Sequence, residues 1–222
     1  MAESLPDTES DKKERYSRLS IPIIETFPKI LRDVIGKIMP VAKPLYQKCV
    51  PVLTTFYPEQ QANIKELQYS NTYDSLDVIL IYQLLRQFSL IPSPTKGWGK
   101  LPDNVDIHLG DDVERIRYFR NKLAHRKDTK IEKNEFIEYF NEFRSIGHRM
   151  DLHFSQSTNY EQEILGYRTC VMDTAMQAKY ENALKEIENM KMRFEKWPIK
   201  FYWGDDFNRW LTNLRSLLKD KN

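Results

Sequence analysis

The chain has 222 residues, 41% of them hydrophobic and 12% aromatic, enough apolar material for the core of one large or two small domains and too much for wholesale disorder. Lys and Arg total 34 against 32 Asp and Glu, a net of +2, so total charge does not mark a nucleic-acid binder. Cys49 and Cys170 are too few for a disulfide framework or for a ubiquitin-ligase zinc ring, and the four histidines lack Cys or carboxylate neighbours at ligand spacing, so neither metal nor cofactor is expected.

The opening MAESLPDTESDKKER has no apolar signal core, and no apolar run reaches the roughly 18 residues of a membrane span. The expectation is an intracellular, cytoplasmic protein without membrane contact, with a nuclear location left open. Residues 1–12 read as a disordered tail. Seven of the eleven prolines precede residue 60, so long helices fit only at 59–91 and 103–197. Within SRLSIPIIETFPKILRDVIGKI, Leu19, Ile23, Ile24, Phe27, Leu31, Ile35 and Ile38 have helical spacing, interrupted or kinked at Pro22 and Pro28. NTYDSLDVILIYQLLRQF (71–88) leaves almost no polar face after Asp77, which predicts a central helix of a bundle. Its β-branched middle would suit a strand, but no partner strand is evident. The Pro- and Gly-rich stretch 90–106 reads as a loop whose Trp98 folds back onto the bundle.

A further helix is predicted from about Leu109, with Asp111 and Asp112 at its positive N-terminal end and Val113, Ile116, Phe119 and Leu123 as its buried stripe. The next carries Phe136, Ile137, Phe140, Phe143 and Ile146. After a polar stretch at 155–159, one long helix is expected from 160 to about 196. Its Met172, Met176, Ala183, Ile187, Met190 and Phe194 form a core stripe or a helical-hairpin contact. FNRWLTNLRSLLKD reads as a last amphipathic helix, and Trp197, Phe201, Tyr202, Trp203 and Trp210 as aromatics capping the bundle or meeting a partner protein. The fold class is all-α, with domains at 13–152 and 153–222.

One segment departs from the average. Residues 115–130 hold Arg115, Arg117, Arg120, Lys122, Arg126, Lys127 and Lys130 against Asp128, a local net of +6, leaving −4 for the other 206 residues. Such a patch attracts phosphates; it also suits a solvated helix face near a negative C-terminal end. His125 lies one turn after Asn121, so the amide can orient the imidazole, while Arg120 is about 140° around and roughly 7.5 Å along the axis. Arginine and imidazole meet on one phosphate only in a cleft at the helix edge. There they have the parts for metal-free RNA cleavage: His125 as acid or base, Arg120 for the phosphate charge.

Residues 97–125, GWGKLPDNVDIHLGDDVERIRYFRNKLAH, with DVILIYQLLRQF upstream, resemble the HEPN domain of the type found in the DAZ-interacting RNA-binding ubiquitin ligase. The family signature, Arg, a polar residue, three variable residues and His, corresponds to Arg120 through His125, and the likeness spans roughly 14–152. It implies an HEPN-like bundle of four to five helices with a C-terminal helical extension, paired as a homodimer through the motif-bearing helices. It further implies RNA as substrate and an acid on the preceding helix supporting the site, Asp77 by position, with Asp74 next. The site expected is Arg120, Asn121, His125 and Asp77, with Arg117, Lys122, Arg126 and Lys127 tracking the RNA backbone. Two functions follow: a metal-independent endoribonuclease, or a non-catalytic RNA-binding, dimerising or adaptor module in RNA sensing, innate immunity or ubiquitin signalling.

Overall fold

The structure, a computed structural model, describes residues 7–195. Among these the chain forms helices and no strand: α1 (Glu9–Ile21), α2 (Phe27–Ile38), α3 (Ala42–Cys49), α4 (Pro58–Glu66), α5 (Val78–Gln87), α6 (Leu109–Ala124), α7 (Lys133–His153), α8 (Tyr160–Arg168) and α9 (Thr174–Glu195).

Helix α1 begins inside the stretch expected to be a disordered tail. Thr8 is the reason: its hydroxyl accepts from the Asp11 N–H at 3.1 Å while Asp11 accepts from the Thr8 N–H at 2.9 Å, a reciprocal capping box. Pro22 does not break the path. The chain passes through one π-helical turn, Pro22–Thr26, in which Phe27 N–H reaches back to the Pro22 carbonyl, and Pro28 then falls in the first turn of α2, where a missing donor costs least.

Helix α5 starts later than expected, at Val78. Residues 71–77 are not helical, and Asp77 caps the helix by accepting from Leu80 N–H at 2.7 Å. The rest of the expectation holds: Leu80, Ile81, Leu84 and Leu85 are fully buried, and α5 packs between α2 and α6. Around them Phe27, Phe119 and Phe143 meet edge to face at 5.1 and 5.2 Å, joining α2, α6 and α7.

The long helix expected at 160–196 is two. Helix α8 ends at Arg168, and α9 restarts after Asp173, whose carboxylate accepts from Met176 N–H at 2.8 Å. The Asp-Thr pair at 173–174 is an N-cap signal legible in the sequence. Met172, placed on the helical stripe, sits in the break and packs with Ile21 and Tyr180. Helix α8 lies close on α7 because Gly147 has no side chain: a Cβ there would meet Glu161 N at 3.0 Å. The side chains of Met190 and Phe194, the final helix and the aromatics Trp197, Phe201, Tyr202, Trp203 and Trp210 lie outside the described residues.

Candidate active site around Arg120 and His125

The site is carried by α6, and three acids near its start fix where that helix stands. Asp111 accepts from Thr95 N–H at 2.6 Å and from the Thr95 hydroxyl at 2.9 Å. Asp112 takes Arg149 of α7 at 2.6 and 2.7 Å and Arg115 at 3.1 Å. Glu114, fully buried, accepts from the Tyr82 hydroxyl at 2.7 Å, from Gly99 N–H at 3.0 Å and from Arg117. Asp111 and Asp112 had been expected only as partners of the helix dipole; their burial makes them the pins that hold the 90–106 loop and α7 to α6. Trp98 folds back as expected and meets Tyr82 edge to face at 5.3 Å.

Arg120 points inward and is only 5% exposed. Burial pushes its guanidinium down to about 10, partly countered by the negative charge of Asp77. It remains protonated at neutral pH. Its hydrogen bond goes to the Asn121 side-chain oxygen at 3.0 Å, and Asp77 acts on it through space rather than in a contact ion pair. The structure thus brings Asp77, Arg120 and Asn121 together from α5 and α6. Asp74 is exposed and lies with Arg32 and Lys37 in a separate depression.

His125 is the C-cap of α6, the first residue past the helix, and its N–H donates to the Asn121 carbonyl at 3.0 Å. That is the ordinary helical backbone bond, not the expected hold of the Asn121 side-chain amide on the imidazole, and the Asn121 side-chain oxygen serves Arg120. The His125 Nε2 is shielded from solvent.

Beside Asn121 a cleft of about 180 Å³ opens between α5 and α6, lined by Ile79, Tyr82, Gln83, Arg86, Arg117 and Asn121. Arg86 and Gln83 had not been singled out. Their signal in the sequence is that Gln83 and Arg86 are polar residues in a mostly apolar helix, three apart and so on neighbouring positions of one face.

The expected basic track does not form as a continuous open surface. Arg115 is buried against Asp112 at 3.1 Å, and Arg117 pairs with Glu114 and lies 5.3 Å from the Tyr82 ring. Arg126 is held by Glu135 at 2.6 Å, and Lys130 by Glu9. Lys122 sits over the Tyr139 ring at 4.8 Å, and Lys127 is exposed. Two of the neutralising carboxylates, Asp112 and Glu114, lie just before residue 115 as i, i+3 partners of Arg115 and Arg117.

A family model described as DZIP3/hRUL138-like HEPN matches residues 50–180. The chain belongs to this HEPN family. The HEPN match covers Asp77, the Gly-Trp-Gly loop and the whole of Arg120–His125, and it runs past residue 152, where a domain end was expected, into α8 and the start of α9. No curated protein and no solved structure matches the chain. Among the described residues, no group of three or more His, Cys, Asp or Glu is arranged to hold a metal ion, and no helix is long and apolar enough to cross a membrane.

Proposed function

We propose that this HEPN domain binds RNA and cleaves it without metal, as a cytoplasmic homodimer in which the α5–α6 faces of two copies meet. The observation that carries the reading is Arg120: a guanidinium almost fully buried, with no carboxylate within ion-pair distance among the described residues. A buried cation without a contact anion is costly to keep, and a bound phosphate is the kind of partner that would offset that cost. Arg120 would neutralise the phosphate under attack, Asn121 would hold Arg120 in place, and His125 would move the proton. Asp77 would tune the charge. Arg86 and Arg117 of the adjoining cleft, with Lys127, would take flanking phosphates, and Arg126 would do so on exchanging from Glu135, while Lys122, held over the Tyr139 ring, stays outside this track.

The test is cleavage of mixed single-stranded RNA with EDTA present by wild type, Arg120→Ala and His125→Ala, alongside a solution mass. Wild type should cut, and removing the general acid or base should cost about 10² to 10⁴ in rate. Equal cutting by all three, or loss of cutting on chelation, overturns the mechanism.

A second reading, the non-catalytic RNA-binding or adaptor module, is favoured by one observation: His125 Nε2 is shielded within the protomer. It predicts salt-sensitive RNA binding that Arg120→Ala weakens, with no cleavage by any variant.

A further inference from the structure

The loop before α6 presents apolar side chains to solvent from a fixed backbone. Leu101 is 43%, Val105 84% and Ile107 56% exposed, while Pro102 between them is buried. Asp106 N–H donates to the Asp103 carbonyl at 3.0 Å, closing a turn with Asn104 and Val105 at its centre, and the Asp106 carboxylate accepts from Asp103 N–H at 2.8 Å. Arg115, itself buried and paired with Asp112, donates to the Asp103 carbonyl at 2.5 Å. Turn centres favour Gly, Asn and Asp, and this valine, on a turn held this firmly, leaves most of its side chain in solvent.

Next to this turn a groove of about 420 Å³ runs between α6 and α7. Leu101, Tyr118 and Tyr139 give it an apolar floor, and Glu138 and Glu142, one turn apart on α7, give it an acidic rim. Its cations are occupied: Arg115 by Asp112, and Lys122 by the Tyr139 ring. Tyr118 and Lys122 each follow Arg117 and Asn121 by one residue, so this groove lies about 100° around α6 from the α5–α6 cleft.

We propose that the 101–107 loop and this groove dock a basic amphipathic segment of a partner protein. Its apolar side would cover Leu101, Val105, Tyr118 and Tyr139, and its Lys or Arg side chains would meet Glu138, Glu142 and Asp106. A second copy of this chain would bring a second set of the same carboxylates to the contact without a cation to meet them, and an RNA phosphate would be repelled by the rim. The surface is independent of the RNA site, so either assignment can fail without the other.

The experiment titrates the isotope-labelled full chain with a synthetic amphipathic helix of Leu and Lys, its Leu and Glu counterpart, and polyuridine, reading amide shifts. The Leu and Lys peptide should shift Leu101, Val105, Tyr118 and Tyr139, and the Glu counterpart should not bind. The pairs Val105→Asp with Ile107→Asp, and Glu138→Lys with Glu142→Lys, should each weaken binding about tenfold or more with an unchanged melting temperature. Shifts confined to other surfaces, equal binding of both peptides or insensitivity to the substitutions would overturn the proposal. So would polyuridine shifting these residues instead, or a homodimer lost on Val105→Asp.

Discussion

Asp77 caps α5, and its negative charge acts on the buried guanidinium of Arg120 on α6. One side chain therefore does two separable things: it satisfies Leu80 N–H at 2.7 Å, and it supplies the negative charge that partly offsets the burial of Arg120.

Those two roles come apart with the right substitutions. Asp77→Asn keeps a good N-cap and removes the charge, whereas Asp77→Ala also removes the cap, at a further cost of about 1 kcal/mol. Arg120→Met replaces a poorly compensated buried cation by an apolar chain of similar length, so it should leave stability unchanged or raised by about 1 kcal/mol while abolishing RNA cleavage. A double-mutant cycle of Asp77→Asn and Arg120→Met in urea unfolding should show a coupling of about 1 kcal/mol. Zero coupling would mean that Asp77 is a cap and nothing more.

Glu114 ties three parts of the site together, and its removal should show it. Glu114→Ala strands the Tyr82 hydroxyl, Gly99 N–H and Arg117 at once. The expected loss is about 3 kcal/mol, read as a lower urea midpoint. Trp98 lies against Tyr82, so its fluorescence should change as well. A loss under about 0.5 kcal/mol would place Glu114 among ordinary surface positions.

At the start of α6, Gly110 touches the loop it follows. A Cβ there would lie 2.5 Å from the Pro92 carbonyl oxygen and 3.0 Å from Pro94 N, both backbone atoms that cannot swing away. Gly110→Ala should therefore destabilise by about 1 to 3 kcal/mol, although alanine is the better helix former. A thermal melt that rises on this substitution would contradict the packing.

Acid should loosen α8 first. Burial alone would raise the pKa of Glu163, but hydrogen bonds from Thr26 at 2.7 Å and Lys29 at 3.0 Å outweigh it and hold the carboxyl below its ordinary 4.5. A carboxylate depressed in the folded state stabilises it above the unfolded value, and that contribution is lost as pH falls through the folded value. Stability should thus decline below about pH 4.5, and Glu163→Gln should flatten that limb while leaving the limb near neutral pH parallel. Identical pH profiles for wild type and variant would rule this out.

Much of this fold was legible along the chain. Apolar spacing located α6 and α7 and made α5 central, since a helix so rich in apolar residues has to be covered over most of its circumference; the side carrying Gln83 and Arg86 opens to a cleft. Boundaries fared less well where a side chain decided them: Thr8 lengthened α1 beyond the expected tail, Asp77 shortened α5, and Asp173 divided the last helix. Each is a cap residue whose effect depends on one hydrogen bond rather than on a pattern. The neutralising partners of Arg115 and Arg117 were also in plain view, three residues back at Asp112 and Glu114.

The helical class, the Arg120–His125 motif and the family are readable from the residues alone, because periodicity and motif spacing are properties of neighbours along the chain. What the +6 segment presents to solvent depends instead on how the helices pack. Coulomb interactions depend on distance in space, so Glu135 and Glu9, remote from that count, cancel Arg126 and Lys130. The fold likewise buries Arg120 within reach of the charge of Asp77 and turns Lys122 toward Tyr139. The cationic segment of the sequence is a mostly paired helix in the fold, with one guanidinium, that of Arg120, held inside it.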